Sequence, residues 1–198
     1  MPPADPASLV PRDIPLPLPA DLMWLQVLIV ILFLVHIVFV NLLVGSTLLM
    51  LRFELRSLWF GDSTSRKVAR AIGQTTTVTK SLAVVFGVAP LLLINVIYTV
   101  YFYTANALTG DFWMSIVAWA TAAFLLLYLH KYSWDWSVMR ARPWLHWATG
   151  AAAAAILLFI PLIFLTNINL MLFPDEWPKV KGFWSALWLP NVFPRYLH

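Results

Sequence analysis

The sequence predicts an all-α integral membrane protein, a bundle of four transmembrane helices, and two observations carry that prediction. Of its 198 residues, 61% are hydrophobic and only 11% are charged, with a mean hydropathy of +0.79, a balance foreign to a soluble domain of this size. The apolar residues also gather into four stretches, Leu22–Leu51, Ser81–Ala105, Phe112–His130 and Leu145–Phe173. Each reaches or exceeds the roughly 20 helical residues that cross ~30 Å of hydrocarbon, and kinking or tilt absorbs the excess of the longer ones.

The first element is an extended arm, residues 1–21, with prolines at 2, 3, 6, 11, 15, 17 and 19. It has no basic cluster ahead of the first apolar run and no small-residue cleavage site after it, so the first span is expected to be retained. The second and fourth spans contain Pro90 and Pro161. Prolines are tolerated in lipid when neighbours take up the freed carbonyls, and each predicts a kink. The fourth span also carries the run Gly150–Ala155, a close-packing face of small residues. Residues 174–198 form a tail rich in tryptophan and proline, with Trp177, Trp184 and Trp188, expected to lie at the outer interface or on a partner's surface.

Orientation follows from the basic residues. Arg52, Arg56, Arg66, Lys67, Arg70 and Lys80 lie between the first two spans, and Lys131, Arg140 and Arg142 between the last two. The remaining segments hold Asp5, Asp13, Asp21, Asp111, Asp175 and Glu176. Both basic loops are therefore expected in the cytoplasm and both termini outside it, in a multi-pass protein of a bacterial inner (cytoplasmic) membrane.

Cysteine is absent, which removes disulfides, thiolate-held clusters and thioether-linked haem. There is no Gly-rich phosphate loop, no Ser–His–acid arrangement and no His/Cys zinc spacing, so an enzyme of soluble substrates is not expected. The basic residues serve orientation, and nucleic acid is not an expected partner.

His36 is the residue that asks for an explanation, an imidazole well inside the first apolar stretch and near the bilayer midplane. Two readings are open. It is hydrogen-bonded across helices, with Asn95 of the second span at a similar depth, or it ligates a metal, haem iron being the usual choice for a membrane imidazole. His130 and His146 stand at the cytoplasmic ends of the third and fourth spans and face each other if they hold a second haem as a bis-His pair. Asn41, Ser46, Thr47, Thr166, Asn167 and Asn169 read as hydrogen-bonding glue between helices.

The stretch His36-Ile-Val-Phe39-Val40-Asn41-Leu42-Leu-Val-Gly45 resembles the first transmembrane helix of cytochrome bd oxidase subunit I, where a histidine near the start of such a stretch binds a haem. Lys80 to Gly87 resembles that family's second helix, Tyr132-Ser-Trp134-Asp135 the end of its third, and His146, Asn167 and the exit Leu172-Phe-Pro174 its fourth. The similarity covers about residues 22–174, the amino-terminal four-helix portion. It implies noncovalent haem b with His36 as the axial ligand of its iron. The family's intramembrane glutamates have no counterpart between residues 81 and 130, where Asp111 is the only carboxylate, and its quinol-binding loop has no match. The expected function is that of an electron-transfer subunit, not catalytic alone, of a respiratory-type oxidoreductase complex. It carries electrons between quinone and an extracytoplasmic partner such as a c-type cytochrome, alongside other membrane subunits. The alternative is a haem-free structural subunit that anchors a larger redox or photosynthetic complex.

Overall fold

The computed structural model describes residues 17–197, apart from the side chain of Thr77; most of the proline-rich arm lies outside the described residues. The described residues are 88% helical, with no strand among them. Its helices are α1 (Leu22–Phe60), α2 (Ser63–Ile97), α3 (Thr99–Tyr132), α4 (Ser137–Ala141), α5 (Pro143–Leu172), α6 (Phe183–Leu187) and α7 (Val192–Leu197), with a 3-10 turn at Pro174–Lys179. α1, α2, α3 and α5 are each long and apolar enough to cross a membrane. The most apolar window of α1 has a mean hydropathy of 3.1 yet only 6% of it is buried, so its apolar surface suits lipid and not water.

The helices outrun the apolar stretches. α1 continues through Arg52, Glu54 and Arg56 to Phe60, because these residues keep a high helix propensity where hydrophobicity ends. Gly61, in the left-handed region at φ 66°, stops it, and its N–H donates to the Ser57 carbonyl at 3.0 Å. Asp62 then starts α2: its Oδ1 accepts the backbone N–H groups of Thr64 and Ser65 at 2.9 and 3.2 Å. The segment read from sequence as a basic loop is thus two helix ends joined by a two-residue link. Between α2 and α3 the helical hydrogen bonding passes Tyr98 without interruption, from Tyr98 N to Ile94 O and from Phe102 N to Tyr98 O. The chain reverses at Gly110, whose φ and ψ are not helical. Phe102 and Trp113 prove the reversal, since their rings lie 5.3 Å apart where an unbroken helix would separate them by about 16 Å.

Contacts divide the chain into two units. One comprises residues up to Ile31, Ala89–Val117 and Ile160 onward. Its core is Ala105, Leu170, Trp177 and Ala186. Asn167, fully buried, donates to Asn106 Oδ1 at 2.7 Å and to Thr109 Oγ1 at 3.2 Å, pinning the Gly110 turn to α5. Asn169 donates to the Pro190 carbonyl at 3.2 Å. The tail divides its tryptophans in a way the sequence does not reveal. Trp177 is buried and donates to the Leu170 carbonyl at 2.9 Å, and Phe183 stacks on Phe112 at 4.2 Å, whereas Trp184 and Trp188 are exposed. Part of the tail therefore completes its own unit and only part is left for an interface.

The other unit comprises Leu32–Val88 and Ala118–Phe159. Here segments of α1, α2, α3 and α5 pack around Leu43, Ala83, Ala123, Leu127, Ala153 and Leu157, and around Met50, Leu51, Ala69, Trp134 and Ala154. Among these residues, Ala69, Ala83, Ala123, Ala153 and Ala154 let the backbones approach closely. Thr47 and Thr166 turn their hydroxyls to carbonyls four residues back, Leu43 and Leu162, so they satisfy themselves within one helix; Ser46 reaches Thr76 on α2 at 3.5 Å.

Candidate functional sites at His36 and at Glu54, His130 and His146

His36 is half-buried on α1, and its Nδ1 lies 2.9 Å from the Ala83 carbonyl of α2. A carbonyl only accepts, so Nδ1 carries the hydrogen and Nε2 keeps its lone pair. The partner is this carbonyl and not the Asn95 side chain named from sequence. Gly87 makes the approach possible: a Cβ there would stand 2.8 Å from His36 Cε1 and 3.0 Å from Nδ1. Phe39 and Phe86, from the same two segments, stack at 5.3 Å with an interplanar angle of 5°. An imidazole held through Nδ1–H to a backbone carbonyl, with no partner at Nε2 among the described residues, is oriented as metal-binding histidines are.

Lys80 is placed by sequence in the cytoplasmic loop. In the structure it is buried on α2, with Nζ 3.5 Å from the Tyr128 ring centroid and 4.9 Å from that of Phe124. The aromatic faces of α3 stand in for a carboxylate.

The residue that sequence reasoning passed over is Glu54. It lies three, four, seven and eleven residues after Leu51, Met50, Thr47 and Leu43, all buried, so it continues the buried stripe of α1 beyond the apolar run. That spacing was the available signal. Its carboxylate is buried, with Oε2 2.8 Å from His130 Nε2 of α3 and Oε1 2.6 Å from His146 Nδ1 of α5. His146 Nε2 in turn lies 2.9 Å from the His130 carbonyl. Gly150, one turn after His146, leaves room for this: a Cβ there would meet His130 Cδ2 and Leu51 Cδ2 at 2.9 Å.

These contacts fix the proton count. His146 Nε2 must donate to the carbonyl, so its other nitrogen and Glu54 Oε1 share one further proton. Either an imidazolium faces a carboxylate or a neutral imidazole faces a carboxylic acid, and the pair is neutral overall in both, as its burial requires. Trp134 covers the group, its ring 4.4 Å from that of His146 and 5.5 Å from that of His130. Asp135 beside it holds Arg70 through both oxygens, at 2.6 and 3.1 Å, and this guanidinium keeps the exposed Asp135 carboxyl below the usual range.

His130 and His146 do come together, but not as a haem pair. Bis-His ligation sets the imidazoles on opposite faces of a macrocycle, whereas these rings lie 4.1 Å apart and both turn toward Glu54. The unforeseen carboxylate draws them into one cluster. A cavity of about 320 Å³ lies against it, with Glu54, His146, Trp134, Arg66 and Arg140 in its wall.

Comparison with protein families, with curated proteins and with solved structures finds no match to the chain.

Proposed function

We propose that this chain is a multi-pass subunit of a bacterial cytoplasmic-membrane redox complex, carrying electrons through noncovalent haem b between quinone and an extracytoplasmic partner such as a c-type cytochrome. The observation that carries the reading is the Nδ1–H···O=C bond from His36 to Ala83, which leaves Nε2 as the one atom of that ring able to ligate iron. The residues fit the group to that extent: the ligand is present, in the correct tautomer, on a helix half-open to its surroundings. When bound, haem supplies one-electron chemistry at a potential set by its axial ligand. The chain's own contribution is to fix the imidazole through Ala83 and to admit it beside Gly87. Oxygen reduction by the subunit alone is not part of the proposal, because residues 81–130 offer Asp111 as their only carboxylate for proton delivery.

The test is a pyridine haemochrome assay with a reduced-minus-oxidised spectrum on the purified chain. Haem b is expected, and His36→Ala should abolish or convert its signal while the protein still inserts. A chain without haem, or a spectrum unchanged by His36→Ala, refutes the assignment and leaves the anchoring-subunit reading, in which the bond to Ala83 is packing alone.

A further inference from the structure

The Glu54–His130–His146 cluster does what no electron-carrying role at His36 requires. It collects one carboxylate and two imidazoles from three helices into a buried site. The geometry points to a second centre, a binding site for one divalent transition-metal ion of the zinc and iron class, held by Glu54, His130 Nε2 and His146 Nδ1. The ligating atoms of the three residues all lie within 4.8 Å of one another.

Four features support it independently of the haem. The donor set of two imidazoles and one carboxylate is that of open zinc and non-haem iron sites, and its two nitrogens are softer than the all-oxygen shell that calcium prefers. The outer hydrogen bond is in place: His146 Nε2–H donates to the His130 carbonyl, which fixes the tautomer and aims Nδ1 at the centre. The cluster is presently closed by shared protons at 2.6 and 2.8 Å. Bonds of about 2.0–2.2 Å from a central ion need donor separations of roughly 3–3.5 Å, so the 2.6 and 2.8 Å pairs must widen by several tenths of an ångström while donors up to 4.8 Å apart draw together. Finally, the cavity of about 320 Å³ against Glu54 and His146 gives an ion a route in and leaves a coordination position open to water.

An ion entering would displace both shared protons: the one between Glu54 and His146 leaves through the cavity, and the one between His130 Nε2 and Glu54 Oε2 passes to Nδ1 of the His130 ring. One carboxylate leaves a bound divalent ion with a net positive charge, which a hydroxide or another anion from the cavity would balance; Arg66 and Arg140 in its wall favour such a ligand. The site thus resembles a metal centre with an exchangeable ligand more than a sealed structural one.

The experiment uses the full-length chain in detergent, purified without a histidine tag, stripped with chelator and titrated with Co(II) alone. Visible d–d absorption saturating at one equivalent, displaced by Zn(II), is expected. Glu54→Gln and His130→Ala, each shown by circular dichroism to remain helical, should weaken Co(II) binding by more than the ~100-fold typical of losing an outer-shell partner. Should the variants fail to fold, X-ray absorption at the zinc edge of the wild-type protein decides. Two imidazole nitrogens with carboxylate oxygen uphold the site, and any other shell overturns it. No absorption on the folded wild-type chain, or binding indifferent to both variants, means a proton-sharing cluster and no metal site. Haem content plays no part in these readouts, so this inference and the assignment of His36 fail separately.

Discussion

Replacing Gly87 by alanine tests the central contact of α1 with α2. A methyl group there would fall 2.8 Å from His36 Cε1 and 3.0 Å from Nδ1, closer than side-chain carbons pack, so the imidazole or the helices must shift. Overpacking of this kind costs about 1–3 kcal/mol. If the ring swings away it also forfeits its bond to Ala83, an interhelical hydrogen bond of about 0.6 kcal/mol in a membrane protein. Against these stands the helix preference of alanine over glycine, up to about 1 kcal/mol. The net expectation is a loss of about 0.6–2.6 kcal/mol. Gly45→Ala on α1 is the control, because its Cβ would meet nothing within 4 Å and only the favourable propensity remains. Reversible unfolding in mixed micelles by an anionic detergent, followed by circular dichroism, measures both. Equal stabilities for the two variants would refute the claim that glycine is needed to seat His36.

Three further expectations are open to direct test. Lys80→Met and Tyr128→Leu should be coupled in a double-mutant cycle by about 1–2 kcal/mol, the range for a desolvated cation–π contact, and simple additivity would show that the ammonium does not depend on that ring. The Asp135 carboxyl is held low by Arg70, so its contribution to stability is fully present above the usual aspartate range and fades as pH falls through the lowered value; Asp135→Asn should flatten that acid-side slope, and an unchanged slope would show the exposed pair to be idle. A reporter active only in the cytoplasm, fused after His198, should be silent if both termini are outside, as the basic residues of the helix ends require, and activity there would invert the topology.

The features that depend on bulk composition were legible in the sequence: an all-α chain, four long apolar helices and an imidazole within the first of them. What was not legible depends on which way a side chain faces once helices outrun their apolar stretch. Read from the linear sequence, Lys80 counts as a loop charge and Glu54 goes unnamed, whereas the helical stripe through Leu43, Thr47 and Met50 turns Glu54 inward and the rings of Phe124 and Tyr128 cover Lys80. The linear sequence suggests that His130 and His146 face each other but gives no sign of the partner they share, the Glu54 carboxylate of another helix. Trp177 and Trp188 look alike in sequence; one finds a carbonyl within reach and is buried, whereas the other meets the Phe193 ring at 5.4 Å and stays exposed.

The two-residue link at Gly61 and Asp62 acts as a ruler for α1 and α2. Both helices rise by about 1.5 Å per residue, so residues equally far from the link fall opposite each other. Met50 and Gly73 each stand eleven positions from it and meet, with the Met50 sulfur 3.0 Å from where a Gly73 Cβ would be. His36 and Gly87 each stand twenty-five positions from it, and they meet as well. A single residue inserted between Gly61 and Asp62 would slide one helix by about 1.5 Å and turn it by roughly 100° against the other. The imidazole would then face a side chain in place of hydrogen, so the depth at which His36 finds its seat is set some 37 Å away, at a turn that never touches it.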